Sequence, residues 1–395
     1  MNYKTGKGNI GLVALLGVWS VSALTSLPGL AVSPILGNLT HIFTHATDLD
    51  IQMLTSLPSL MIIPFVLLSG WFTEHVGYMR LLYWGLWLFL LSGLLYLFCR
   101  SMKELILVSA LLGVGAGIII PLSTSLISRL FIGEYRTRQF GYASAITNIT
   151  LVIATAAVGY LADIQWRLPF IVYLLPLFSI LLMPAVSRVI KKIDTVAVPN
   201  KTISVSSYIN YTPLLRYMLY YFLITYLIVA VNVNLPFLMS EYGHDSGSSG
   251  LIISLFFLAM MLPGFFLNSI VHFMKKRITA YSLVMIGLGL LIIYLYRSLP
   301  LISLGCIISG VGYGIAQPYI YDRTSSVASP NKVSFAMALV MVMNYVAILV
   351  APFLMDLFQK WLNQPSERFP FAFNTLVSFA ALFVLLVYRV KREYK

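Results

Sequence analysis

Ionisable chemistry is scarce in this chain and confined to its polar segments. Of 395 residues only 13 are Asp or Glu and 5 are His, and every acid falls between long apolar runs or at their ends. Those nearest an apolar interior are Asp163, Asp356 and Asp322, the last directly before Arg323. A carboxylate at a helix end forms an ion pair or a lock more often than it carries a proton, so Asp322 and Arg323 are read as a conformational latch. His41 and His45 stand four apart, with Asp48 and Asp50 close by. On a helix two such imidazoles could share a cation such as zinc, but a solvated loop explains them more simply and no metal is assigned. Nowhere in the apolar runs do a nucleophile, a base and an orienting group come together, so the chain is not read as an enzyme and no cofactor is implied. Its two cysteines, Cys99 and Cys306, lie at or within apolar runs and support neither a disulfide framework nor a metal cluster.

The apolar runs do contain neutral polar side chains at helical spacing. Ser144, Asn148 and Thr155 share one helix face, as do Tyr313, Gln317 and Tyr321. Asn232 and Asn234 precede Pro236, Asn344 adjoins Tyr345, and Trp19, Ser22, Thr25 and Ser26 fall in the first run. Groups of this kind hydrogen-bond a solute in a central cavity while aromatic rings wall it, and the competing reading for each is a bond between helices. Thr25, Asn148, Asn232, Asn234, Gln317, Asn344 and Tyr345 are the candidate substrate contacts.

Twelve apolar stretches position these residues: 10–36, 51–70, 80–98, 104–128, 140–162, 168–187, 217–239, 250–271, 279–296, 300–321, 333–355 and 370–390. About 20 apolar residues of helix cross a hydrocarbon layer of about 30 Å. The runs lack the two-residue alternation of membrane strands, so each is predicted to be a helix. With 59% hydrophobic and 10% charged residues and a mean hydropathy of +0.89, a water-soluble fold is excluded. The net charge of +13 raises nucleic acid as a partner, but the basic residues sort by side. Only Arg100, Lys103, Arg167, Arg297, Lys360 and Arg368 lie on the face opposite the two tails. That bias predicts both termini in the cytoplasm beside an anionic leaflet, with the lipid bilayer and not nucleic acid as partner. The first run is too long and too lightly charged at its start for a cleaved signal peptide, and is expected to remain as the first helix.

The chain also repeats itself. Gly113-Val114-Gly115-Ala116-Gly117-Ile118 and Gly310-Val311-Gly312-Tyr313-Gly314-Ile315 lie 197 residues apart, and each is followed by a proline, Pro121 or Pro318. Neither run follows a strand or leads into Gly-Lys-Ser/Thr, so a phosphate cradle is excluded and close helix packing is expected instead. The prolines are expected to bend their helices. A repeat of half the chain predicts an all-α membrane protein of two six-helix bundles related by a pseudo-two-fold axis. The expected divisions are 1–187, a cytoplasmic linker over 188–216, and 217–395.

At the second turn on the tail side the chain reads Gly70-Trp71-Phe72-Thr73-Glu74-His75-Val76-Gly77-Tyr78-Met79-Arg80, which resembles the loop motif of the major facilitator superfamily. Glu74 stands where that motif usually has Asp, and Tyr78-Met79 where it has a basic pair. A decayed copy, with His272 and Lys275-Lys276-Arg277, follows in the second half. Trp166-Arg167-Leu168-Pro169-Phe170 and Leu27-Pro28-Gly29-Leu30 resemble the twelve-helix drug:proton antiporter family and its sugar-efflux-like members. Ser109 replaces that family's usual arginine in the fourth span, and the fifth lacks its Gly-Pro pair. The resemblance implies export of a small organic molecule by proton-coupled alternating access, with Glu74 and Arg80 as a further latch. It places the protein as a monomer in a bacterial inner membrane. The absence of a carboxylate at lipid depth favours the alternative of an uncoupled facilitator or a carrier coupled differently, such as an uptake carrier; a non-transporting membrane sensor on the same fold is a further alternative.

Overall fold

The computed structural model describes residues 2–28, 42–43, 48–196, 208–242, 246–274, 277–363 and 366–393. Twelve α-helices run through them: α1 Leu12–Ala23, α2 Asp48–His75, α3 Tyr78–Phe98, α4 Met102–Leu130, α5 Gly133–Ile164, α6 Pro176–Val196, α7 Tyr211–Glu241, α8 Ser246–Met274, α9 Ile278–Leu295, α10 Leu299–Ser326, α11 Val333–Trp361 and α12 Phe369–Glu393. Eleven of the apolar segments are long enough to cross a membrane, and Leu12–Ser26 is a shorter apolar one. Short 3-10 turns, Leu24–Ser26 and Leu168–Leu174, follow α1 and precede α6. His41 and His45 lie outside the described residues, as do 197–207 within the expected linker.

Local chemistry sets several helix ends. Ser101 caps α4 by accepting from the Glu104 N–H, and the Glu104 carboxylate reaches back to accept from the Arg100 N–H at 2.7 Å, two bonds that satisfy donors a helix start leaves unpaired. The α2–α3 turn passes through Gly77 at φ +89°, a left-handed conformation that favours glycine.

The glycine repeat has a packing reason. In α4, Gly113 and Gly117 lie against α2 while Gly115, one step round, lies against α3. A Cβ on Gly113 would sit 2.6 Å from the Pro58 carbonyl oxygen, and one on Gly115 2.8 Å from the Phe89 nitrogen. In α10, Gly310 and Gly314 meet α8 and Gly312 meets α9 in the same pattern, a Cβ on Gly310 falling 2.7 Å from the Phe256 carbonyl oxygen. Small residues let backbones touch where lipid supplies no hydrophobic drive between helices. Outward-facing apolar side chains such as Trp84, Leu107 and Phe273 remain exposed, as a lipid-facing surface requires.

The two bundles meet along α2–α11 and α5–α8. Gly70 of the loop motif faces Ala338 and Phe335 of α11, a Cβ there falling 2.8 Å from that of Ala338. Gly141 of α5 faces Gly264 and Leu267 of α8. Ala338 stands 197 residues after Gly141, so the two crossings are copies of one contact. An N-terminal hairpin absent from the sequence reading, β1 Asn2–Lys4 paired with β2 Asn9–Gly11, turns through Gly6 at φ +81°. It docks on the α4–α5 turn, where Ile132 N–H donates to Thr5 O at 3.0 Å and Lys7 Nζ to Arg129 O at 2.9 Å. The face carrying this hairpin is called the terminal face below.

Candidate functional site

A cavity of about 240 Å³ lies between the bundles. From α1, the 3-10 turn after it, α4 and α5 it receives small hydroxyls and one amide: Ser22, Thr25, Ser123, Ser144, Thr147 and Asn148. From α7, α10 and α11 come larger groups, with Tyr221, Tyr313, Tyr321 and Tyr345 beside Asn232, Gln317 and Asn344. Of the seven residues expected at the site, Thr25, Asn148, Asn232, Gln317, Asn344 and Tyr345 line this one hollow. Asn234 does not. Two residues turn an α-helix by about 200°, so Asn232 and Asn234 cannot face the same way. Thr155 is also outside the lining, folding its hydroxyl onto the carbonyls of Leu151 and Val152.

Many lining groups are committed to one another. Gln317 Nε2 donates to Tyr221 OH at 3.0 Å and Tyr321 OH at 3.2 Å, and its Oε1 accepts from Ser144 Oγ of the other bundle at 3.4 Å. Asn344 Oδ1 accepts from Thr225 Oγ1 at 2.9 Å and Tyr313 OH at 3.4 Å. Asn148 Nδ2 donates to the Ser144 carbonyl at 2.9 Å, and Thr147 Oγ1 to that of Ser22 at 2.9 Å. Asn232 Oδ1 is buried and accepts no hydrogen bond from the described residues.

Toward the terminal face, α5 and α10 close on each other in three successive layers. Ser144 meets Gln317; one turn lower, the rings of Phe140 and Tyr321 lie 6.1 Å apart. Another turn on, Arg136 Nε donates to Asp322 Oδ1 at 2.9 Å and its second nitrogen to Ser326 Oγ at 2.8 Å. The pair is withdrawn from water, with the Asp322 side chain 6% and Arg136 17% exposed. Asp322 therefore bonds across the bundles, whereas Arg323 stacks over Tyr319 at 5.1 Å within its own helix. Arg136 is not among the residues expected at a latch. Its signal was the four-residue spacing Arg136, Phe140, Ser144, Asn148, which puts it on the same face of α5 as the cavity residues. Arg80 is exposed at the start of α3, and the side chain of its expected partner Glu74 lies outside the described residues.

On the opposite face, the guanidinium groups of Arg297 and Arg368 sit 5.6 and 5.1 Å from the Tyr242 ring. There Glu241 accepts from the Glu367 N–H at 3.2 Å. Burial, and secondarily the neighbouring Glu241 charge, push the Glu367 carboxyl above its ordinary range.

A duplicated helical body around one polar hollow defines a class, the multi-pass membrane transporter. The chain belongs to the Major Facilitator Superfamily, whose description matches residues 14–352 and 217–395. It is similar to the quinolone resistance protein NorA of Staphylococcus aureus, 28% identical over 127 residues, which is 31% of this chain and 32% of that protein. It is also similar to the multidrug transporter protein MdtP of Bacillus subtilis, 27% identical over 173 residues, 43% of this chain and 31% of that protein. These matches thus span about a third of each relative's length. Among solved structures, the human organic anion transporter MFSD10 superposes with a TM-score of 0.72 at 16% identity, covering 94% of this chain and 98% of that one. The proton:xylose symporter XylE bound to 6-bromo-6-deoxy-D-glucose gives 0.73 at 14% identity, covering 95% and 94%. At such identities the likeness is one of fold.

Proposed function

We propose that this protein is a secondary transporter that exposes the central cavity to one side of a bacterial cytoplasmic membrane at a time, and that it exports a small organic solute as a monomer. The observation that carries the reading is a polar hollow between two bundles whose terminal side is crossed by bonds reaching from one bundle to the other. Rocking the bundles about that hollow exchanges the open side, and any such motion has to break Arg136–Asp322 and part the Gly70–Ala338 and Gly141–Gly264 crossings. The basic bias makes the terminal face cytoplasmic, so the arrangement described is the outward-facing one. Residues 1–187 and 217–395 act as the moving bodies, joined by 188–216. Thr25, Asn148, Asn232, Asn344 and Tyr345 hold the solute; Asp322 with Arg136, and Glu74 with Arg80, serve as latches. The names of NorA and MdtP favour export.

A second reading concerns coupling. Among the described residues no Asp, Glu or His lines the cavity, which favours a facilitator over a proton antiporter that loads its proton beside the solute. Purified protein in liposomes tests both readings. It should move a labelled solute that binds it faster than empty vesicles do, and an imposed pH gradient should change that rate only if protons couple. No acceleration for any compound that binds removes the transporter reading.

A further inference from the structure

We infer that the cavity selects an uncharged polar solute carrying both hydrogen-bond donors and acceptors beside a flat apolar face, of the size and kind of a nucleoside or an aromatic glycoside. The inference rests on the transporter reading and adds the substrate class. Among the described residues no Lys, Arg, His, Asp or Glu lines the hollow. A fixed charge entering it would lose its hydration without gaining a counter-ion. The nearest buried carboxylate, Asp322, is already engaged by Arg136 at 2.9 Å.

The hydrogen-bonding capacity left to a solute is specific. Gln317 has both ends of its amide engaged, so it shapes the wall and offers little to a ligand. Asn232 Oδ1 is an acceptor without a donor among the described residues. In Asn344 the oxygen accepts twice, which leaves the NH2 group to donate, and in Asn148 the NH2 is engaged, which leaves the oxygen to accept. A solute thus meets amide acceptors on Asn148 and Asn232 and an amide donor group on Asn344, from α5, α7 and α11. Beside them, the rings of Phe257, Tyr313 and Tyr345 offer apolar faces. The cavity of about 240 Å³ has room for about eight waters at ~30 Å³ each, which matches one or two small rings.

The test is thermal unfolding of detergent-solubilised protein, paired with liposome flux. The uncharged probes are uridine, thymidine and p-nitrophenyl β-D-glucoside; the charged ones, of similar or smaller size, are p-nitrophenyl β-D-glucuronide and phenyltrimethylammonium. At millimolar concentration at least one uncharged probe should raise the midpoint and the charged ones should not. Asn232→Leu should weaken that probe's apparent Kd about tenfold or more. Asn344→Asp keeps both accepted bonds but adds a negative charge. It should gain stabilisation by phenyltrimethylammonium and lose it for the uncharged probe, a gain that no merely misfolded variant can show. Stabilisation and flux of a charged probe by the unaltered protein, with none for the uncharged ones, would overturn this inference and leave the transporter reading standing. Stabilisation by no probe would overturn the inference, and absence of flux for every binder would remove both.

Discussion

Replacing Asp322 with Asn isolates the Arg136–Asp322 bond, the proposed lock on the terminal side. The side chain keeps its shape but loses its charge, and the Arg136 Nε bond of 2.9 Å becomes a charged-to-neutral one in a site where the partners are only 6% and 17% exposed. A hydrogen bond to a charged group contributes about 1.5–3 kcal/mol net. At about 1.4 kcal/mol per tenfold change, losing most of it shifts the balance between closed and open terminal sides by roughly ten- to a hundredfold. The readout is labelling of a Thr124→Cys probe, a cavity-lining position, by a membrane-impermeant maleimide applied from the terminal face, in a background with Cys99 and Cys306 replaced. Asp322→Asn should speed labelling by at least about tenfold, as should Arg136→Gln. The double variant should be no faster than the quicker single one, because both remove the same bond. Labelling that stays at the unaltered rate in both single variants, or effects that simply multiply, would refute the reasoning.

Other consequences follow from the packing and from the opposite face. Gly113→Ala places a methyl against the Pro58 backbone, and overpacking of that kind should destabilise by about 1–3 kcal/mol; Gly250→Ala, in a helix where a Cβ meets nothing within 4 Å, should raise the unfolding midpoint slightly and in no case lower it. Gln317→Leu strips partners from Tyr221, Tyr321 and Ser144 and should cost about 1–3 kcal/mol in unfolding measurements. The Glu367 carboxyl has a raised pKa in the folded protein, so the fold binds its proton more tightly than the unfolded chain does. Stability is therefore lost as pH rises from the ordinary Glu value, about 4.3, through the raised one. Glu367→Gln should match the unaltered protein at the acid end of that window and exceed it in midpoint above, while a constant difference at every pH would contradict the assignment.

Much of this architecture is legible in the sequence because bilayer thickness and helix geometry leave few choices. Apolar runs of the required length give the helices, and the glycine repeat gives the duplication. Four-residue spacing places Asn148 with Ser144 and Gln317 with Tyr313 and Tyr321 on faces that do meet the cavity. What escaped are features that depend on rotation or on distant pairing. Asn234 resembles Asn232 in composition and neighbourhood, yet helical rotation takes it off the lining. The Arg136–Asp322 bond joins residues 186 apart, and only the docking of α5 on α10 decides that Asp322 finds Arg136 instead of its neighbour Arg323. The N-terminal hairpin is short, and the α4–α5 turn that steadies it lies more than a hundred residues away.

The central claim is that transport requires the terminal side of the cavity to open. A cysteine pair at Arg136 and Asp322, again without Cys99 and Cys306, bridged by a flexible reducible bismaleimide, tests it in a single preparation. Counterflow of a solute that stabilises the protein should proceed before bridging, stop when the pair is bridged and return on reduction. Counterflow that continues at its original rate with the pair fully bridged would contradict the account.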